Sequence, residues 1–453
     1  MSQRVSTAGV LDSAPQSTHD DPKPTLDVMM GSTPIVGDES NAFVAKGARH
    51  LLHEYLGHDT GTGVSTSRLF DLLSEAGGSS EDRGHLYKIA LGVTSVSDRS
   101  SEMDVLGQQQ EEYSRLVASK KRSQQYGHGG SWKQLRSEGV MDKLYGRWRS
   151  QVNSACSDQL RPPQMDHIAN VLGALEVAYP TCTLDAATTW ATLLAPLSLL
   201  FAVELDLYYC VTGFMFMLCR DGFISISSLF PPGSDPMSLP ARDRIAACFG
   251  LQTPSAATVG GTRGGADIPV AALEKAGGIP SPFEDVSSAI RDASTDACEE
   301  SARLRRICGI FVAQLHWSNP SLYEHMQALQ QQGGVCFEDW VPHILRTLLT
   351  QQVCRFDQLL RLWDAYLKEG SLGLHSYVVL TLLEERTWEL TEGPWGDKGA
   401  HDAVLMGKQF GWGAEATHPS LLPNSSLRVD VPLVLQRAER LRERARNAGF
   451  VLE

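Results

Sequence analysis

Apolar residues recur at intervals of three and four over most of the chain, the period of a helix that lays one face on a core. LLHEYL at 51–56 and SRLFDLL at 67–73 carry the pattern from about Ala45. LYKIALGV at 86–93 follows, with Gly92 placed as a helix stop. Residues 102–122 predict a helix with a broad polar face; Lys120, Lys121 and Arg122 at its end suit the negative pole of a helix dipole. HIANVLGALEVAY at 167–179 predicts an amphipathic helix stopped by Pro180. The pattern resumes at Arg303 through ARLRRICGIFVAQLHW, LYEHMQALQQQ, FEDWVPHILRTLL, RFDQLLRLWDAYLKEG and SYVVLTLLEERTWEL. A last helix starts near Pro432, a favourable first-turn residue, and runs through LVLQRAERLRERAR. Strand-like alternation is scarce, so the expected class is all-α with roughly a dozen helices.

Between Asp185 and Glu204 stand 18 uncharged residues, the minimum length of a membrane span. They include three Thr, a Ser and Pro196, and Glu204 and Asp206 precede a second apolar run, LYYCVTGFMFMLC. Two consecutive buried helices fit this better than a helix in lipid, and no integral membrane segment is expected.

The breaks in periodicity divide the chain. Residues 1–42 are rich in Ser, Thr, Pro, Asp and Gly and are expected as a disordered tail; 43–220 form a first helical lobe. Residues 221–302, with PPGSDP, GGTRGGAD and GGIPSP, are expected as a long irregular insertion or linker with a short helix near 238–250. Residues 303–391 form a second lobe, and 392–453 a Gly/Pro/Ser-rich loop followed by the last helix. Residues 123–140, with Gly127, Gly129 and Gly130, are expected to be loose.

Composition narrows the function. Lys plus Arg is 40 and Asp plus Glu is 53, a net charge of −13. That excludes a general binder of nucleic-acid backbone or of an anionic membrane surface. The nine Cys are scattered without a Cys-x-x-Cys pair, which argues for reduced thiols, a cytoplasmic setting and no zinc ribbon. The N-terminal segment lacks the apolar run of a secretory signal. In HEYLGH, His53 and His58 are five apart, whereas zinc on a helix needs four. TVGGTRGG at 258–265 has no Lys-Ser/Thr and no preceding strand, so it is not a phosphate loop. No cofactor, metal or covalent chemistry of the chain's own is expected.

Four ordered segments resemble the TBC domain, the all-helical GTPase-activating domain that usually acts on Rab GTPases. Arg83-Gly84-x-x-Tyr87-x-x-Ala90-Leu91-Gly92 is similar to the opening R-G-x-x-W-x-x-L-L-G. Leu194-Ala195-Pro196-Leu197-x-Leu199-Leu200-Phe201, then Glu204-x-Asp206-x-Tyr208-Tyr209-Cys210, resembles A-P-L-L-L-L-F and E-x-x-A-F-W-C. Leu322-x-x-His325-Met326 resembles L-x-x-H-L. Phe337-x-x-Trp340 and Leu360-Arg361-Leu362-Trp363-Asp364-x-x-Leu367-x-x-Gly370 resemble F-x-x-R-W and V-L-R-I-W-D-x-x-L-x-x-G. The resemblance implies a two-lobed helical domain. Read for packing alone, Leu359, Leu360, Trp363 and Leu367 are core positions, and Asp364 caps or bridges neighbouring helices.

The resemblance also implies two fingers. An Arg from I-x-x-D-x-x-R neutralises charge on the transferring phosphoryl group and is worth about 10³–10⁵ in rate; a Gln from Y-x-Q-G orients the attacking water. The Gln place falls on Ala186-Ala187-Thr188-Thr189-Trp190, so Thr188 stands where Gln is missing. Asp158-x-x-Arg161 is the weak candidate for the arginine finger, with Ala155 in place of Ile; Arg147 and Arg149 are alternatives. These departures are similar to those of the small TBC subunits of hamartin–tuberin complexes, as is the Glu111-Glu112-Tyr113-Ser114-Arg115-Leu116 helix. That implies a regulatory or scaffold subunit that binds a coiled coil of hamartin type, engages a small GTPase (Rab or Rheb) directly or through the complex, serves TOR signalling, and is recruited to an endomembrane or lysosomal surface. Two other readings stay open: an active Rab GTPase activator with unusual fingers, and an unrelated helical scaffold. QRAERLRERAR reads as a solvated, salt-bridged helix, with a coiled-coil partner as the alternative.

Overall fold

The computed structural model describes residues 38–57, 65–94, 99–123, 130–137, 165–231, 234, 237–254, 299–331, 337–350, 355–385, 387, 391–392 and 430–450. Among them are sixteen helices and no strand. The expected tail at 1–42 lies outside these residues up to position 37, as does the stretch at 392–428 expected as a Gly/Pro/Ser-rich loop, from position 393 on. Residues 1–43 and 44–453 are two separate units, and the core lies in the second.

The first group of helices is α1 (Asp38–Gly57), α2 (Thr66–Glu75), α3 (Ser80–Ala90), α4 (Arg99–Ser123), α5 (Gly130–Ser137), α6 (Met165–Ala178), α7 (Leu184–Leu200), α8 (Glu204–Arg220), α9 (Ile226–Leu229) and α10 (Pro240–Cys248). Starts follow local chemistry: Ser65, Ser79 and Thr183 accept a backbone N–H of the first turn of α2, α3 and α7. The stop read at Gly92 is present, with φ +69°. α4 packs on α6, α8 and α10, and α7 packs on α8.

The apolar pair α7 and α8 fills the centre. Ala186–Leu199 and Leu207–Cys219 are buried without interruption, so both helices are apolar on every face because protein surrounds them. No helix of the described residues is long and apolar enough to cross a membrane. Gly213 of α8 is a close-approach position: a Cβ there would lie 2.8 Å from the Cβ of Leu91.

Two stretches differ from the sequence expectation. Residues 130–137, expected to be loose, form α5, in which Trp132 and Leu135 are buried and Trp132 Nε1 donates to the Tyr179 carbonyl at 3.1 Å. Two apolar residues three apart suffice for two turns once a core receives them. The expected insertion at 221–302 begins inside the fold. Phe223, Ile224, Leu229, Phe230, Leu239 and Ile245 are buried, and the helix read near 238–250 is α10. Residues 255–298 lie outside the described part.

The second group is α11 (Glu299–Ser318), α12 (Pro320–Gln331), α13 (Phe337–Arg346), α14 (Phe356–Glu369), α15 (His375–Glu385) and α16 (Val431–Asn447). α14 also packs on α2 and α3, and Trp363 stands 5.0 Å from Phe214 of α8, ring centre to ring centre. The C-terminal helix is docked rather than solvated all round. Val431, Val434, Ala438, Leu441 and Ala445 are buried against α14 and α15. Its arginines pair with neighbouring helices: Arg437 with Glu385 at 2.8 Å and Arg442 with Glu369. The apolar stripe that could have served a coiled-coil partner is used within the chain.

Candidate functional site

The first and last of the sequence segments meet. The Arg83 Nε donates to both carboxylate oxygens of Asp364, at 3.1 and 3.0 Å. The Tyr87 hydroxyl donates to Asp364 Oδ1 at 2.9 Å and to the Leu360 carbonyl at 3.1 Å. Burial pushes the Asp364 carboxyl upward while Arg83 and the Tyr87 hydrogen bond hold it down. Burial, and then the charge of Asp364, raise Tyr87 well above its ordinary value. The bridging role read for Asp364 is present. This cluster joins helices 281 positions apart, and its groups are turned toward one another.

A second meeting point lies at the start of α7. Thr183 Oγ1 accepts from Ala186 N at 3.3 Å, which fixes the first turn. Asp185 follows, with its side chain 68% exposed. Arg346 reaches it from the end of α13: Nη1 lies 2.6 Å from Asp185 Oδ2, and Nε donates to the Phe223 carbonyl at 3.2 Å. The Arg346 side chain is only 15% exposed. One guanidinium therefore links the start of α7, the segment after α8, and the second helical group. Its charge also reaches Cys308, whose thiol burial pushes up to about 12 against the pull of Arg346.

Thr188 lies one turn further along α7. The residue is 6% exposed, and its carbonyl accepts from Thr192 Oγ1 at 2.8 Å. Among the described residues, Thr188 Oγ1 has no hydrogen-bond partner. Ala186, Ala187, Thr189 and Trp190 are buried beside it. Trp190 packs against Tyr179 with ring centres 4.3 Å apart and the ring planes tilted by 43°. No residue in this stretch carries a side-chain amide, and the stretch faces the core.

Arg161 and Asp158, with Arg147 and Arg149, lie outside the described residues. His53 stands 3.8 Å from Asp82, and His58 is outside the described part. Among the described residues, no group of three or more His, Cys, Asp or Glu side chains is placed to hold a metal. Arg346 is the residue that sequence reading missed. It sits at the end of an amphipathic helix, where a basic residue suits the dipole, and nothing local signals a contact made 161 positions away.

Residues 293–391 match the model of the Rab-GTPase-TBC domain. The match spans less than a quarter of the 453 residues. It contains α11–α15, including the Trp363-Asp364 segment, and is therefore a similarity of the second helical group. No curated protein matches the chain.

Proposed function

We propose that the chain is a TBC-type protein of the GTPase-activator superfamily that lacks the glutamine finger and acts as a regulatory or scaffold subunit of a GTPase-activating complex. The family match and the all-helical fold support the first half of this reading. The second half is carried by the burial of Thr188 among Ala186–Trp190, where neither reach nor chemistry can present an amide to an attacking water. The matched segment begins C-terminal to both finger places, so the similarity concerns framework and not chemistry. The partner of this reading is a coiled coil of hamartin type, with Rheb as the GTPase, TOR signalling as the setting and an endomembrane surface as the site of action.

Single-turnover GTP hydrolysis by a panel of Rab GTPases and Rheb tests it. The expected result is no acceleration by the folded, helical protein alone. Acceleration of about a hundredfold or more, an amount one arginine finger can supply, would overturn the regulatory reading. If Arg161→Ala then removed it, Arg161 would be the finger and the protein an active Rab GTPase activator.

A further inference from the structure

We propose that Arg346 is a preformed oxyanion receiver for a docking small GTPase, and that Asp185 is the exchangeable group that occupies it in the free protein. The proposal deepens the reading above and rests on it, because the start of α7 is the place of the missing finger.

Three observations converge. First, the pair is asymmetric. Asp185 is 68% exposed on the first turn of α7, whereas Arg346 is 15% exposed and held on its inner edge by the Phe223 carbonyl. An exposed carboxylate leaves such a pair at small cost; a guanidinium held from behind stays. Second, Arg346 stands next to an unusual turn. Leu348 and Leu349 have φ of 48° and 63°, a region that bulky side chains rarely adopt, yet both are fully buried. Third, that turn is over-determined. Trp363 Nε1 donates to the Leu348 carbonyl at 3.1 Å, and His375 Nε2 lies 3.1 Å from the Leu345 carbonyl. Backbone strain persists where the surroundings enforce it, and it fixes what the turn carries.

The result is a guanidinium positioned before any partner arrives, which lowers the ordering cost of binding. Its planar fork accepts carboxylate and phosphate alike. The incoming oxyanion is therefore either an acidic side chain on the GTPase or a phosphate of its nucleotide, and Asp185 mimics it in the free state.

The test uses the full chain and GTPases of the Rab and Rheb type, each loaded with GDP or with a non-hydrolysable GTP analogue. Affinity is measured for the parent protein and for Asp185→Asn, Arg346→Gln and Arg346→Lys, with thermal unfolding recorded for each. Asp185→Asn is expected to tighten binding about fivefold, the size of a competing exposed ion pair removed. Arg346→Gln is expected to weaken it about tenfold or more, with partial recovery in Arg346→Lys. An effect confined to the GTP form assigns the oxyanion to the γ-phosphate; an equal effect on both forms assigns it to a group that the two forms share. Unchanged binding in both Asp185→Asn and Arg346→Gln, with the parent protein binding, overturns the role of Arg346 and leaves the proposed function standing. Weaker binding in Asp185→Asn, in step with a lower melting temperature, makes the pair a structural tie and overturns the proposal. Binding of no GTPase by the parent protein overturns the role of Arg346 and leaves the scaffold reading to be decided by its coiled-coil partner. Should Arg346→Gln fail to fold, the direction of the Asp185→Asn effect still decides.

Discussion

His375 is fully buried between the Tyr366 hydroxyl, 3.0 Å from Nδ1, and the Leu345 carbonyl, 3.1 Å from Nε2. Desolvation pushes its pKa down to about 4. In the unfolded chain the ring titrates near 6.5, so between these values the unfolded state binds the extra proton. Stability is therefore expected to fall as the pH drops from about 6.5 to about 4, by about 3 kcal/mol in total from this group. Urea unfolding across that range should show a shallower slope in His375→Gln than in the parent. Asp364 poses the converse case of a buried group with its partners in place. Arg83→Ala would leave its carboxylate with the Tyr87 hydrogen bond and the charge of Arg361, and removing one partner of a buried pair costs about 3–5 kcal/mol. A melting temperature within a degree or two of the parent would show that solvent already screens the pair.

At the scale of the element, α10 shows how a helix start is completed by a distant side chain. Its N-cap residue, Leu239, offers no side-chain oxygen. Glu112 of α4 accepts instead from Ala241 N at 2.9 Å and Arg242 N at 3.3 Å, and from the Tyr209 hydroxyl at 3.0 Å. Glu112 is 1% exposed, and burial raises its pKa although all three donors oppose the shift. Glu112→Ala would strand these donors in the interior at a cost of about 3 kcal/mol or more. Hydrogen exchange should then accelerate most at 237–254; uniform acceleration along the chain would mean that α10 is held by its apolar face instead. Arg242 adds to that face, lying over the rings of Phe230 and Tyr179 at 5.1 and 5.7 Å. α16 follows the same logic at the other end of the chain: five small or aliphatic residues face inward, and its arginines reach acids on α14 and α15.

For the whole molecule, the segment that matches the family model is not a free-standing half. Trp363 packs on Phe214, Asp364 is shared with Arg83 and Tyr87, and Lys368 pairs with Asp71 at 2.5 Å. Arg220 donates to the Gly370 carbonyl at 2.7 Å, and Asp221 accepts from Leu372 N at 2.7 Å. Residues 293–391 expressed alone are expected to be insoluble or to lack a cooperative thermal transition, because stability of only about 5–15 kcal/mol does not survive loss of half a core. A sharp transition in that fragment would show that the second helical group is sufficient by itself.

Periodicity alone marks the helices, because a core-facing stripe is written every three to four residues, and LLHEYL, HIANVLGALEVAY and RFDQLLRLWDAYLKEG fall on α1, α6 and α14. The stops at Gly92 and Pro180 and the start near Pro432 are equally local. The bridging role of Asp364 is legible only through the spacing of its segment. What requires the tertiary structure is every pairing between distant segments. The Gly- and Pro-dense composition at 221–254 hides nine buried apolar residues, since composition averages over the few side chains that pack. The arginines of α16 read as paired along their own helix, yet Arg437 and Arg442 find acids on other helices. Thr188 can be named from sequence, but its burial, and the delivery of Arg346 to Asp185 one turn before it, depend on how α7 and α13 are brought together. A local pattern fixes which face of a helix is apolar; only the packed chain decides what that face, and the charges at its edge, will meet.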